Sequence, residues 1–322
     1  MAGQRGVSVA RTGLVYDPTF LAHRVSSLHP EQPARLQAVI GALEETGLLE
    51  KLTVLAPRPA ELEELTTVHA ADYVERVRQA CARGDGFLDS LDTEICPDSF
   101  LAAKLAAGAA LSAVDAVVEG KVDNAFCAVR PPGHHATHAK AMGFCIFNNV
   151  AIAARHLQRV HGVERVLIVD WDVHHGNGTQ EAFYGDETVF YFSVHRYPYY
   201  PGTGAASETG EGRGKGFTLN VPLPAGADDG IYQKVFQEKL LPEAKLFHPD
   251  FVLISAGFDP HHADPLGGMR LTEEGFRAML RVILEVASLT CGGKVVSVLE
   301  GGYHLEALRT CVCDHIAMLL AC

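Results

Sequence analysis

The sequence predicts a single α/β domain over residues 1–322, with a central, mostly parallel eight-stranded sheet flanked by helices. A chain of 322 residues is long enough for one large open sheet, although its length also allows two domains. Short apolar runs alternate with helical patterns, and several runs are almost continuously apolar, as in strands covered on both faces. Polar clusters follow four of these runs, where parallel α/β sheets bind their ligands.

Eight apolar runs are the predicted strands, and six longer segments with helical patterns lie between or before them. The strands are residues 13–17, 52–57, 125–130, 166–172, 189–195, 217–223, 251–258 and 295–303. The helices are residues 33–47, 60–81, 99–120, 149–162, 230–247 and 272–289. Cys311 and Cys313 lie in an apolar C-terminal segment, which favours buried thiols on a further helix over a metal or redox pair.

Composition narrows the class of protein. Hydrophobic residues make up 48% and charged residues 20%, which excludes a disordered or collagen-like chain. The net charge of −12 argues against nucleic acid or an anionic membrane as a partner and suits a cationic substrate. We expect no membrane span, because no apolar run approaches roughly 18 residues. The N-terminus lacks a secretion signal and the eight cysteines form no CxxC pair, so a cytoplasmic protein with reduced thiols is predicted.

The segment DWDVH is the first candidate for a chemical site. Asp170, Asp172 and His174 occupy alternate positions at a predicted strand end, so they should share one face, with Trp171 and Val173 in the opposite layer. Two carboxylates beside an imidazole are costly to bury unless a cation pairs them. The alternative is that the two aspartates only cap the strand end.

A third metal ligand is expected from another strand end. Asp259, in SAGFDP, is the best candidate. Asp172, His174 and Asp259 would bind one divalent ion and leave a position open for water, as catalytic zinc sites do. Oxygen-rich ligands also suit Fe²⁺ or Co²⁺, so this set predicts a metal without determining which ion.

Two further strand ends carry groups suited to proton transfer. His134 and His135 follow the strand at 125–130, and Asp170 and Asn177 could fix the tautomers of their rings. Tyr303 follows two glycines and could donate a hydrogen bond to a developing oxyanion. The alternatives are a histidine pair in a surface turn and a tyrosine in the core.

Taken together, the motifs resemble those of the zinc-dependent histone deacetylase and acetylpolyamine amidohydrolase superfamily, which has the arginase–deacetylase fold. The matching segments are HPE at 29–31, RPPGHH at 130–135, GFC at 143–145, DVHHGNGT at 172–179, PGTG at 201–204, AGFD at 256–259, DPLGG at 264–268 and EGGY at 300–303. Their order matches over about residues 12–318 and is most similar to the class II and bacterial amidohydrolase members. The DxHxD pattern of the two-manganese arginases is not matched.

The resemblance implies a set of catalytic roles. Zinc would be held by Asp172, His174 and Asp259, His134 would bond to Asp170 and act electrostatically, His135 would bond to Asn177 and move protons, and Tyr303 would stabilise the oxyanion. Class I relatives have Asp at the position of Asn177, a departure that bears on the basicity of His135.

The resemblance also implies a substrate channel. Phe144 and Tyr200 would flank the substrate stem, Gly143 would offer its carbonyl to the substrate amide, and Asp92, in the loop 90–97, would hold the substrate backbone. Leu266 replaces the Glu of polyamine-selective relatives and so favours acetyl-lysine, unless it only packs at the rim.

Two structural potassium sites are implied as well. The first would use Asp170, Asp172, His174, Ser193 and Val194, and the second Phe183, Asp186, Val189 and Phe217. The predicted reaction is removal of acetyl groups from lysine side chains of proteins or peptides, with acetylpolyamine hydrolysis as the alternative. A long-chain deacylase, an esterase and a non-catalytic acyl-binding scaffold are further alternatives, and the oligomeric state is left open.

Overall fold

The computed structural model describes residues 10–322, and in that range ten strands are present. They are β1 (Thr12–Val15), β2 (Thr53–Leu55), β3 (Phe87–Leu88), β4 (Ser90–Glu94), β5 (Asn124–Cys127), β6 (Val166–Asp170), β7 (Val189–Arg196), β8 (Thr218–Leu223), β9 (Phe251–Ala256) and β10 (Val295–Leu299). Eight of them form one sheet in the order β2-β1-β5-β10-β9-β6-β7-β8, and β3 and β4 form a separate hairpin. Every neighbouring pair in the large sheet is parallel, which confirms the predicted α/β architecture.

Helices connect and cover these strands. They are α1 (Ala34–Glu45), α2 (Leu62–Leu65), α3 (Ala71–Arg83), α4 (Ser99–Val118), α5 (Asn149–His161), α6 (Asn177–Phe183), α7 (Asp229–Val235), α8 (Leu241–Phe247), α9 (Glu273–Thr290) and α10 (Leu305–Leu320), with a π-helical turn at Phe236–Leu240. The C-terminal helix is confirmed as α10, where Cys311 is buried and Cys313 is half-buried.

The predicted helix at 60–81 is interrupted, and the reason lies in the core. Its two halves, α2 and α3, are separated by a turn that carries His69 inward. The ring of His69 lies 2.9 Å from the Thr137 carbonyl and accepts the Asn148 amide at 2.9 Å. A continuous helix would leave these two backbone groups unpaired, and buried groups of this kind are costly.

Helix α4 qualifies as a membrane span by length and composition, so the expectation that no run approaches that length is wrong here. The structure places 72% of its apolar window inside the fold. Lys104 and Asp115 are its only charged residues. Burial on this scale is that of a core helix. Residues 1–9, on which the expectation about secretion partly rests, lie outside the described residues.

The parallel sheet brings distant segments to one edge. The carboxyl ends of β5, β10, β9 and β6 are adjacent because these strands are neighbours in the sheet. The segments that follow them carry the four polar clusters that the sequence singles out. The prediction that these clusters meet at one mouth is therefore confirmed by the topology.

Candidate active site

The segment after β6 departs from the predicted geometry. The strand ends at Asp170, so the expectation that strand alternation aligns Asp170, Asp172 and His174 is wrong. Backbone amides fold back onto the carboxylates instead: the Asp172 amide donates to Asp170 at 3.2 Å, and the His174 amide to Asp172 at 2.9 Å. These local turns, which aspartate forms readily, orient the carboxylates. Trp171 and Val173 are fully buried between them.

The three expected metal ligands do meet. Asp172, His174 and Asp259 each bring a ligand atom within 4.8 Å of the others. His174 Nδ1 lies 3.0 Å from Asp172 Oδ1 and 3.1 Å from Asp259 Oδ2. Both carboxylates are buried, and Asp259 Oδ2 has no aligned hydrogen-bond donor among residues 10–322.

The electrostatics of this cluster favour a cation. Burial and the charge of Asp172 raise the pKa of Asp259 to about 7. Burial also opposes ionisation of Asp172, but His134 and His174 hold the pKa of that carboxyl below its usual range. Burial opposes the charged form of His174, but Asp172 and Asp259 raise its pKa to about 9, so this ring is the positive charge between the two buried carboxylates. A divalent ion could take its place as the counter-charge. The nitrogen and oxygen donors fit the divalent ions of catalytic metal sites.

Close backbone approach makes this cluster possible. The Gly301 amide donates to Asp172 Oδ2 at 2.9 Å. A Cβ at Gly301 would lie 2.3 Å from Asp259 Oδ2, and one at Gly257 would lie 2.2 Å from Asp172 Oδ2. Glycine at these two positions therefore leaves room for the carboxylates.

The histidine pair has the partners that the resemblance implies. His134 Nδ1 lies 3.0 Å from Asp170 Oδ2, and His135 Nδ1 lies 2.8 Å from Asn177 Oδ1. Burial alone would lower the pKa of His134, but Asp170 and Asp172 raise it to about 10. Burial, with the charges of His134 and His174, lowers the pKa of His135 well below its usual range. At neutral pH these directions favour the charged form of His134 and the neutral form of His135.

Several supporting residues escaped the sequence analysis. The Tyr191 hydroxyl donates to Asp170 Oδ2 at 3.1 Å. Glu300 accepts the Gly133 amide at 2.7 Å and the His134 amide at 3.2 Å, and burial raises the pKa of this carboxyl to about 7. Glu300 is the first residue of the EGGY motif and directly follows an apolar strand. A charged residue at that position was the sequence signal for its role.

A second supporting network is an ionic cluster with fully buried side chains. Glu31 pairs with Arg130 at 2.8 Å and with Arg35 at 3.1 Å. Arg35 also donates to the Gly302 carbonyl at 2.7 Å and to the Glu300 carbonyl at 2.5 Å. The cluster therefore fixes the backbone that leads into Tyr303.

Every residue predicted to bind the substrate lines one cavity of about 220 Å³. It is lined by Asp92, His135, Gly143, Phe144, His174, Tyr200, Leu266 and Tyr303. The Tyr200 ring lies 5.1 Å from the His135 ring, and Phe144 lies 5.9 Å from Tyr303. We call this cavity the channel.

Unusual backbone conformations shape one wall of the channel. Gly143 and Phe144 have φ of +56° and +68°. A Cβ at Gly143 would lie 2.3 Å from the His135 ring, so this position needs glycine for space as well as for conformation. A phenylalanine in the left-handed region is uncommon and suggests a functional constraint on its ring.

Asp92 ties the two walls together. It lies on strand β4 and not in a loop, which corrects the expectation for residues 90–97. Its carboxylate accepts the Gly143 amide at 3.3 Å and the Tyr200 hydroxyl at 3.1 Å. Burial raises the pKa of Asp92, but these and other hydrogen bonds outweigh burial and lower it. The hydroxyl of Tyr200, a departure from the usual Phe, thus has a partner.

The residues named for potassium lie on neighbouring elements. Asp170 on β6 is in register with Ser193 on β7, and Val194 follows. Phe183 ends α6, Val189 begins β7 and Phe217 precedes β8. The Asp186 carboxylate, however, is paired with Arg155 at 2.5 Å. At the second set, backbone carbonyls are therefore the available ligands, and potassium binding stays a prediction.

Comparison with known proteins agrees with this geometry. The sequence pattern of the family described as "Histone deacetylase domain" matches residues 29–319. The chain is 43% identical to a probable deacetylase of Archaeoglobus fulgidus over 92% of this chain and 82% of that protein. It is 41% identical to the histone deacetylase-like amidohydrolase of Pseudomonas aeruginosa, over 96% and 80%.

Two further comparisons bear on substrate and fold. The chain is 44% identical to the human polyamine deacetylase HDAC10 over 96% of its length, but spans only 48% of that protein. It superposes on the crystal structure of the HDA15 HD domain with a TM-score of 0.92 and 40% identity, over 97% of this chain and 89% of that one. The chain therefore belongs to the histone deacetylase family of amide hydrolases.

Proposed function

We propose that this protein is a metal-dependent deacetylase that removes acetyl groups from lysine side chains of proteins or peptides. One observation carries the proposal: a single channel is lined by two aromatic walls, His135, His174 and Tyr303. The apolar stem of an acetylated lysine suits the aromatic walls, and its amide would reach the polar groups beyond them.

Asp172, His174 and Asp259 are the residues that would hold the metal. Zinc suits this set, with Fe²⁺ or Co²⁺ as alternatives. A divalent ion bound there polarises an acyl carbonyl and acidifies water at neutral pH. Asp259 Oδ2 has no aligned hydrogen-bond donor and lies 3.1 Å from His174 Nδ1, so both atoms could bind the same ion.

His135 is the group we assign to proton transfer. When Nδ1–H is donated to Asn177 Oδ1, Nε2 remains free to accept a proton on the channel side. Its lowered pKa keeps the ring neutral at pH 7, so it can take a proton from water and return it to the leaving amine. His134, held as an imidazolium by Asp170, contributes positive charge.

Tyr303 and Gly143 complete the proposed reaction. Burial and the charge of Asp259 raise the pKa of Tyr303 well above 10, so its hydroxyl stays protonated and can donate to the developing oxyanion. Gly143 can orient the substrate through its carbonyl. The amide C–N bond breaks, the hydroxyl of water goes to the acyl carbon, and the amine leaves with the proton.

Hydrolysis of acetylpolyamines is the second candidate, supported by the 44% identity to a polyamine deacetylase. Leu266 favours the peptide substrate, because this half-buried side chain offers no charge to a second ammonium. Two hydrogen bonds hold the backbone of Leu266. The Tyr199 hydroxyl donates to its carbonyl at 2.7 Å, and its amide donates to Asp264 at 2.9 Å.

The test compares kcat/KM for an acetyl-lysine peptide and for acetylspermidine on zinc-loaded enzyme, with released acetate as the readout. We expect the peptide to be preferred at least tenfold. Leu266→Glu should shift the ratio of the two kcat/KM values toward acetylspermidine. Leu266→Gln, whose side chain matches that of Glu in size but is uncharged, should leave the ratio unchanged. A wild-type preference for acetylspermidine would overturn the lysine assignment, and no turnover of either by the metal-loaded protein would overturn deacetylation.

A further inference from the structure

A second cluster of carboxylate and imidazole groups lies away from the channel. Asp115 is in the last turn of α4, and His156 and His161 are in the C-terminal half of α5. Both helices end just before a parallel strand begins, so the cluster lies at the amino-terminal edge of the sheet. The channel is at the opposite edge, and the two sites share no residue.

Both histidines direct a ring nitrogen at the same carboxylate oxygen. His156 Nε2 lies 2.7 Å and His161 Nε2 lies 2.6 Å from the same oxygen, Asp115 Oδ1. The ring planes are 75° apart with centroids separated by 5.5 Å. The three ligand atoms lie within 4.8 Å of one another, and two imidazole nitrogens with one carboxylate oxygen are the donor set of many transition-metal sites.

A carboxylate lies near the other ring nitrogen of His156, outside hydrogen-bond distance. Its other nitrogen, Nδ1, lies 3.8 Å from Glu64 Oε1. Glu64 is itself held by Arg58 at 2.7 and 2.5 Å and by the Glu61 amide at 2.7 Å. Histidines that bind metals usually direct the second ring nitrogen toward a carboxylate or carbonyl, which orients the ring.

The surrounding charges favour a cation. Asp115 and His161 lie where two helices end, and helix carboxyl ends carry negative partial charge. Two nearby cations are paired, Arg58 with Glu64 and Lys121 with Glu119, each at 2.5 Å. The side chains of Asp115 and His161 are 28% and 15% exposed, so an ion could enter from solvent.

We propose that Asp115, His156 and His161 form a second divalent-metal site, which takes Zn²⁺ or Co²⁺ and leaves a position to water. The bound ion would cross-link α4 and α5 and stabilise the fold without taking part in hydrolysis. The alternative without a metal is a carboxylate that accepts hydrogen bonds from the two histidines. Metal binding distinguishes the two.

The test is equilibrium dialysis of the metal-stripped full chain against Zn²⁺, followed by metal analysis. We expect two equivalents in the wild type and one in each of Asp115→Asn and His161→Gln. The exposed His248 serves as the matched control, and His248→Asn should still bind two. Circular dichroism and kcat/KM with one equivalent of Zn²⁺, unchanged within twofold, would show that the variants are folded.

Asp259→Asn isolates the second site, since it removes a ligand of the proposed catalytic site. In that variant Zn²⁺ should raise Tm, because an ion that binds only the folded state stabilises it. The added substitution His161→Gln should abolish the rise. One equivalent in the wild type, or two equivalents in both cluster variants, would overturn the proposal.

Discussion

The two aspartate–histidine clusters combine the same types of side chain but differ in burial. Beside the channel, Asp172, His174 and Asp259 lie on irregular segments beyond strand ends, and an oxygen of Asp259 has no aligned donor. At the other edge, Asp115 accepts from both of its histidines and is partly exposed. The first cluster packs two buried carboxylates against one imidazole, whereas in the second one partly exposed carboxylate lies between two imidazoles.

The largest expected effect is the sharpest test of this difference. Asp259→Asn should reduce kcat/KM by more than the roughly 10²–10³-fold that loss of one oxyanion donor costs, because a buried ligand charge is lost. Asp115→Asn should change kcat/KM less than twofold. Acetate release under saturating Zn²⁺ measures both, and comparable losses in the two variants would mean that both clusters serve catalysis.

The next effect tests the channel without touching the metal ligands. Tyr303→Phe should cost roughly 2.7–4 kcal/mol of transition-state stabilisation and lower kcat with little change in KM, since the hydroxyl donates to the oxyanion only as it forms. Steady-state kinetics on the peptide measure it. Tyr16→Phe, outside the channel, is the control, and a loss below tenfold for Tyr303→Phe would argue against the oxyanion role.

Buried histidines outside both clusters predict a loss of stability in acid. Burial lowers the pKa of His69 to about 4 and that of His315 to about 3. The unfolded chain binds protons near pH 6.5 and the folded chain does not, so stability present above pH 6.5 should fall as pH drops toward 4. Each such histidine contributes up to about 1.4 kcal/mol per pH unit.

Urea unfolding between pH 7.5 and 4.5 measures this loss. His69→Gln keeps a donor and an acceptor for Thr137 and Asn148 but does not titrate, so its stability should fall less steeply with pH. The exposed His248→Asn variant should follow the wild type. An unchanged slope in His69→Gln would mean that His69 is already protonated in the folded state.

The smallest expected effect is a change in the pKa of His135. Asn177→Asp places a carboxylate on Nδ1, which favours the imidazolium and raises the pKa of His135. The acid limb of kcat/KM, where the neutral base is lost, should therefore move to higher pH. A pH–rate profile measures the shift, with Asp115→Asn as the unshifted control. If the acid limb of kcat/KM does not move in Asn177→Asp, proton transfer must be assigned to a group other than His135.

The fold was largely predictable from the sequence, but the exact ends of its strands and helices were not. Buried parallel strands are continuous apolar runs, so all eight sheet strands were predicted, including β2, which is short and mostly exposed. The β3–β4 hairpin carries Asp92 but shows no comparable run. The break between α2 and α3 depends on core partners of His69 that are distant in sequence.

By itself, the sequence determined which residue types follow each strand, and therefore that carboxylates, imidazoles and a phenol converge at one edge of a parallel sheet. Only the tertiary structure decided how they pair. Asp172 and His174 are oriented by backbone turns and by Gly301. The pKa of His134 is raised and that of His135 is lowered because their neighbours differ. The physical reason is that charge and pKa depend on burial and on partners within a few ångströms, which sequence spacing does not record.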